Sequence, residues 1–225
     1  PFAYIDKNVE IGDDCEIMPH VSIMSGTRMG KRNRIFNGAV IAAEPQDFNY
    51  KGDDTIVEIG DDNVIRENVV INRATNSGGK TVIGNGNFLH EGVHVSHDTH
   101  IGNHSVFGYG SKISGNCMIE DYVIFGGNVL VSQGCRVGTW SMTQTGCRFR
   151  KDVPPYIVAA LEPTTYYGVN SVILMHEGMS EKIVKHISHA YRIIYQGNTS
   201  IVGALLMIKD QVPMSDEIQH IIDFI

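Results

Sequence analysis

Large apolar side chains recur along this chain with a period of six. From Ile5 the phase runs through Ile11, Ile17, Ile23, Met29, Ile35 and Ile41, returns at Ile59, Ile65 and Ile71, and resumes at Ile83. It then holds through Leu89, Val95, Ile101, Phe107, Ile113, Ile119, Phe125, Val131 and Val137 to Phe149. Of the 25 positions in this phase between 5 and 149, 21 are large and apolar; the four exceptions are Asp47, Asp53, Ser77 and Thr143. Four residues after most slots stands a small side chain, as at Cys15, Thr27, Ala39, Thr99, Ser105, Cys117, Cys135 and Cys147. Glycine follows the slot directly at Gly12, Gly30, Gly60, Gly84, Gly102 and Gly138. This spacing fits neither a helix, with about 3.6 residues per turn, nor an alternating strand. It fits a coil of three short flat strands, each giving one aliphatic and one small residue to the interior. Such coils bury their faces only against one another. Roughly eight of them, stacked at about 4.8 Å, predict a prism on the order of 40 Å long.

Two polar, turn-rich segments interrupt the phase, at 44–55 (EPQDFNYKGDDT) and 74–80 (ATNSGGK). Both are expected to be loops extruded from the prism, and long loops on a rigid scaffold tend to carry function. After Lys151 the six-residue code stops at Val153-Pro154-Pro155-Tyr156. From Ser180 the spacing turns helical, with Ile183, Val184, Ile187, Tyr191 and Ile194 on one face and Gly197 as a stop. Ser200–Lys209 and Ser215–Ile225 read as further amphipathic helices. The expected organisation is a mainly β parallel β-helix over 1–153 and a small α-helical C-terminal domain over 154–225. The combination of aliphatic, Gly and small residue is the hexapeptide signature, and its resemblance to known hexapeptide proteins implies a left-handed coil.

Composition narrows the function. Lys and Arg number 18 against 25 Asp and Glu, a net charge of −7, which argues against a nucleic-acid binder. It leaves open phosphate groups on a small ligand. The four cysteines contain no CxxC pair, and all occupy small-residue slots, so they are expected to be buried side chains in a reducing compartment. No apolar run is long enough to span a membrane and no signal peptide opens the chain, so the expected location is cytoplasmic.

Histidine is abundant, and His90, His94, His97 and His100 crowd into eleven residues, with His104 close behind. Three readings compete. His90 and His104 fit solvent-facing polar positions. The His94, His97, His100 spacing suggests a metal site, but residues three apart on such a coil point differently, and no Cys or acidic residue completes a ligand set. The third reading is a general base, since Asp98 directly follows His97 and a carboxylate can fix an imidazole's tautomer.

The stretch His94-Val-Ser-His97-Asp98, with Ile101-Gly102-Asn103 and Ile113-Ser-Gly115-Asn-Cys, resembles the UDP-N-acetylglucosamine O-acyltransferases that begin lipid A biosynthesis. Pro45-Gln46-Asp47-Phe48 with Tyr50, Val57-Glu58-Ile59-Gly60, Asp152-Val-Pro-Pro-Tyr156, Gly168-Val169-Asn170 and Ala190-Tyr191-Arg192 match as well. The resemblance covers nearly the whole chain. It implies His97 as general base, Asp98 as its partner carboxylate and Gly115 as the backbone N–H facing a thioester carbonyl. It also implies that Asp47, His94 and Gln133 hold the sugar nucleotide, with Asn170 near the nucleotide and acyl groups. Acyl carrier protein would bring the thioester as co-substrate, UDP-N-acetylglucosamine would be the acceptor, and no metal or other cofactor would be needed. A homotrimer with sites between neighbouring prisms is implied too, in keeping with flat aliphatic faces that a monomer would expose.

This sequence departs from the family in the acceptor site. Asn49 stands where well-known members have lysine. Asn72, Asn116 and Ser132 replace histidines, and His176-Glu177 replaces a basic pair thought to meet the diphosphate. Arg136, Arg148, Arg150 and Lys151 are candidates for meeting an acidic carrier protein, and Gln144 and Thr145 lie where an acyl groove would be blocked. Two other activities fit the prism: a hexapeptide acyltransferase acting on an amino-sugar nucleotide, and a metal-dependent hydratase of the γ-carbonic anhydrase type. A non-catalytic solenoid is a further alternative. Metal content separates the hydratase, and the presence or absence of a free amine on the acceptor separates the two transferases.

Overall fold

The computed structural model describes residues 1–225. Most strands are only two residues long, and each ends on a slot residue. Three parallel sheets form the walls of a left-handed β-helix. The first stacks the strands ending at Ile5, Ile23, Val95, Ile113, Val131 and Phe149, together with Val40–Ala43 and Val70–Asn72. The second stacks those ending at Ile11, Met29, Ile59, Ile83, Ile101, Ile119 and Val137, and the third those ending at Ile17, Ile35, Ile65, Leu89, Phe107, Phe125 and Thr143. Pairing is in register, so Leu89 lies on Phe107 and Phe107 on Phe125. The wall slots from Ile23 to Phe149 are buried, while Ile5, Ile11 and Ile17 in the first coil are not, having no coil before them.

The phase survives both interruptions for a geometric reason. On the first sheet Ile41 pairs with Ile71 across the 44–55 loop, and Ile71 with Val95 across the second loop. Those steps are 30 and 24 residues in place of 18, so the excesses of 12 and 6 are whole multiples of the period. Asp47, Asp53 and Ser77 therefore fall in loops and fill no interior slot. Thr143 is different: it is a true interior slot, fully buried, and its Oγ1 has no hydrogen-bond partner.

The code stops after Lys151 without the sheet stopping. Val153 bridges Val137, and Ile157–Ala160 pairs with Met142–Thr143 so that Ala159 lies on Thr143. Each step is 16 residues, two short of a full coil, which breaks the sequence phase while the wall continues to Ala160. An antiparallel strand, Thr165–Val169, then closes the third sheet.

Two features of the corners were not visible in the aliphatic pattern. Residues three after most wall slots, such as Asn8, Asp14, Asp62, Asp98, Asn116 and Gly134, adopt the left-handed conformation, which Gly, Asn and Asp tolerate best. At one corner the small-residue position is held by Asn33, Asn63 and Asn87, whose buried amides stack: Asn63 Nδ2 donates to Asn33 Oδ1 and to the Gly84 carbonyl, while Asn63 Oδ1 accepts from Asn87 N. The three small-slot cysteines Cys117, Cys135 and Cys147 are buried as expected, whereas Cys15 in the first coil is only half-buried. Burial pushes the Cys117 thiol up to about 11, so it stays protonated at neutral pH.

Four helices follow: α1 (Ser171–His176), α2 (Glu181–Gln196), α3 (Ile201–Gln211) and α4 (Asp216–Phe224). Ser180, Ser200 and Ser215 cap the last three, each accepting from the N–H three residues on. The short α1 had no sequence signal. Buried Tyr191 on α2 donates to the Pro155 carbonyl at 2.6 Å, and His220 on α4 meets Glu120 of the prism at 3.0 Å. These bonds seat the helices on the last coils. No helix is long and apolar enough to cross a membrane.

Thr143→Val should stabilise the protein by about 1 kcal/mol, because it removes a buried hydroxyl without a partner and restores the aliphatic slot. Urea unfolding at fixed protein concentration measures this; an unchanged or lower midpoint would refute the assignment.

Candidate active site

His97 sits at the corner between the first and second sheets, one residue before left-handed Asp98. Its ring is buried, with 6% of the residue exposed. Nδ1–H donates to Asp98 Oδ2 at 2.8 Å, which fixes the tautomer and leaves the Nε2 lone pair free. On that side lies Asp47 Oδ2, 3.5 Å from Nε2, brought in by the 44–55 loop. The Asp98 carboxylate also receives the Thr75 N–H and hydroxyl, and the Asp98 N–H donates to Thr81 Oγ1 at 2.9 Å.

Gly115 lies one coil on from His97, eighteen residues later. A Cβ there would sit 2.3 Å from His97 Cε1, so only glycine lets the imidazole occupy its place. The Gly115 N–H donates to no group of this chain, and the neighbouring Asn116 N–H donates to the His97 carbonyl at 3.0 Å. The arrangement provides an oriented base with a free lone pair, a carboxylate behind it and an unoccupied backbone donor beside it. That set suits removal of a proton from a hydroxyl next to a carbonyl under attack.

The remaining expected residues are arranged around this centre. His94 Nε2–H donates to Asn72 Oδ1, and Asn72 Nδ2 in turn donates to the Glu44 carbonyl at the root of the loop. Asn49 N–H donates to Asp47 Oδ1 at 2.7 Å, which shapes the loop tip, while its side chain is exposed. Asn116 and Gln133 are exposed near the site. Asn170 and His176 have no bond to the His97 cluster. Asn170 is buried at the start of α1 with its amide on the Trp140 carbonyl, and exposed His176 meets Glu177. The histidines tempting as a metal set go separate ways: His94 to Asn72, His97 to Asp98, and His100 outward on the second face. Sequence reasoning missed Thr75, Thr81 and Arg73, which donates to the Tyr50 hydroxyl at 2.7 Å and braces the loop.

Comparison with known proteins places these features. The family described as Udp N-acetylglucosamine O-acyltransferase, domain 2, matches residues 152–225, and bacterial transferase hexapeptide (six repeats) matches residues 80–115. An acyl-[acyl-carrier-protein]–UDP-N-acetylglucosamine O-acyltransferase of Thermodesulfovibrio yellowstonii is 36% identical over 226 residues, covering 100% of this chain and 88% of the relative. One from Xanthomonas axonopodis pv. citri is 38% identical over 245 residues, covering 100% and 93%. Among solved structures, a UDP-N-acetylglucosamine acyltransferase from Bacteroides fragilis superposes with a TM-score of 0.96 at 46% identity, covering 100% of this chain and 95% of that one. The Francisella novicida enzyme gives 0.94 at 31%, covering 99% and 88%.

Burial holds the His94 imidazole below its ordinary pKa, helped by the charges of Lys112 and His97. NMR titration should therefore find His94 more neutral at pH 6.5 than an exposed imidazole, and Lys112→Ala should raise its midpoint. The unfolded chain takes up this proton first as pH falls, so stability declines with acidification below about 6.5. A midpoint at or above the ordinary value would contradict the burial.

Proposed function

Because this chain belongs to the UDP-N-acetylglucosamine O-acyltransferase family, we propose that it moves a 3-hydroxyacyl chain from acyl carrier protein to the 3-hydroxyl of UDP-N-acetylglucosamine, with His97 as general base. It is an acyl-[acyl-carrier-protein]–UDP-N-acetylglucosamine O-acyltransferase. The observation that carries the residue roles is the buried His97–Asp98 pair with Nε2 free and Gly115 beside the ring, where any Cβ would clash with it.

A sugar hydroxyl attacks poorly until its proton is removed. His97 Nε2 takes that proton as the oxygen bonds to the thioester carbon. The imidazolium formed is stabilised by Asp98 behind it, and Asp47 supplies a second carboxylate 3.5 Å from Nε2. Negative charge gathers on the former carbonyl oxygen, where the Gly115 N–H can donate. As the C–S bond breaks, the proton returns from Nε2 to the departing thiol. The thioester is already activated, so no covalent enzyme intermediate and no cofactor is called for.

Asp47, Asn49, His94, Asn116 and Gln133 would surround the acceptor. His94, kept neutral by burial, suits a hydrogen bond to a sugar hydroxyl more than an ionic one to phosphate. His176 would reach a nucleotide bound against a neighbouring copy, whereas Asn170 would have to give up its bond to the Trp140 carbonyl to do so. The trimer reading is supported by the outward residues of the third sheet. Val64, Phe88, Val106, Ile124, Met142 and Val158 make an apolar stripe, whereas the second face carries ion pairs such as Arg28–Glu10 and Lys80–Glu58. Beside the stripe, Gly108, Gly126 and Gln144 stack at one position on successive coils. At Gly108 and Gly126 a Cβ would run into the backbone of the next coil, and exposed Gln144 and Thr145 follow where an acyl chain between prisms would be blocked. Arg148, Arg150 and Lys151 are exposed for an acidic carrier protein, whereas Arg136 is already held by Asp152 and the Phe224 carbonyl.

A transfer assay with 3-hydroxyacyl carrier proteins of several lengths and UDP-N-acetylglucosamine tests this reading. His97→Ala should lower turnover roughly 10²–10⁴-fold, the usual contribution of a positioned base, with less effect on nucleotide binding. His94→Ala should act chiefly on acceptor KM. Near-normal turnover in folded His97→Ala would sink the assignment. Light scattering should give three times the 24.8 kDa of one chain; a monomer mass would remove the shared site.

A further inference from the structure

We propose that Thr75 is a positioning residue that holds the Asp98 carboxylate, and through it the His97 base, in working orientation. The inference rests on His97 acting as the base.

Thr75 stands in the second loop, eight per cent exposed, on a segment the six-residue code does not require. Its hydroxyl is 2.7 Å from Asp98 Oδ2 and its backbone N–H is 3.2 Å from the same oxygen. Asn76 Nδ2 donates to Thr75 Oγ1 at 3.2 Å, which occupies that oxygen as an acceptor and leaves the hydroxyl proton for the carboxylate. The same Oδ2 receives His97 Nδ1–H. Three donors thus converge on one carboxylate oxygen, two of them from Thr75.

Asp98 needs this support from outside its own coil. It occupies a corner whose backbone is set by the turn, and its N–H is already spent on Thr81. Apart from His97 Nδ1–H, the group it is meant to orient, no donor of its own coil holds the carboxylate. With Thr75 in place the carboxylate cannot swing away from Nδ1, and its charge is shared among donors, so the Nδ1 proton remains on the imidazole. The loop does not depend on Thr75 for its own closure. Gly79 N–H donates to the Asn76 carbonyl at 2.7 Å, and Gly78 N–H to the Asp54 carbonyl of the first loop at 3.1 Å. The two loops are therefore bound to each other, and they reach His97 from opposite sides, Asp47 at Nε2 and Thr75 behind Asp98.

The test is a double-mutant cycle read in acyl transfer by the full-length enzyme. Thr75→Val should lower kcat about ten- to a hundredfold, as for one lost bond to a charged group, with KM for both substrates within about twofold. Thr75→Ser, which keeps the hydroxyl, should restore most of the rate. In an Asp98→Ala background, Thr75→Val should change kcat by less than about twofold, because the group it positions is gone. Should the valine variant melt early, Thr75→Ala takes its place in the same cycle. A rise in KM alone, a serine variant as slow as valine, or full additivity with Asp98→Ala overturns the proposal. Retained turnover in His97→Ala would instead defeat the base assignment on which it stands, so the two failures are distinct.

Discussion

Interior side chains of this prism owe most of their burial to the coils stacked before and after their own. In-register stacking at a fixed pitch is therefore the constraint from which the rest follows. The first coil shows the rule by violating it: Ile5, Ile11 and Ile17 have one neighbour instead of two and remain partly exposed. The same stacking sets His97 against Gly115, since residues eighteen apart are neighbours on adjacent coils. The close approach of His97 to Gly115 is thus an ordinary consequence of the repeat, provided the second residue lacks a side chain.

The site combines what the coil supplies with what it cannot. Asp98 occupies a corner at which the backbone turns left-handed, a place where Asp and Asn recur through the chain for conformational reasons. The carboxylate is placed by the turn and then oriented by groups from outside the repeat. Asp47 and Thr75 both come from segments that leave the wall, and the bonds between those segments hold them as one unit.

Much of this was legible in the residues. The period set the three walls and both loops, and three serines marked the longer helices. Thr143 could not be told from Asp47 by pattern alone, because a slot residue in the wall and one in a phase-keeping loop look alike until pairing is known. The last coil was hidden by its shortening of two residues. The Asn33–Asn63–Asn87 stack escaped notice because a medium-sized amide at a small-residue position is unexpected without sight of its partners. His97 and Asp98 were found through resemblance, since a His-Asp dipeptide is weak on its own. Thr75 carried no signal at all: its bonds to Asp98 join a loop residue to a corner 23 positions on, which no local pattern displays.

The loop lengths have a consequence for how such a chain can diversify. Segments of 12 and 6 extra residues leave the wall and rejoin it, and the coil on the far side pairs as though they were absent. Only the two anchor points of such a loop belong to the coil, so its length can change by single residues at little cost. Residues added to the wall itself are different, because there a shift of one would turn inward side chains out. The two-residue loss after Phe149 shows the first case: Ala159 still lies on Thr143. Loops can therefore drift gradually while the prism beneath them changes only in whole coils.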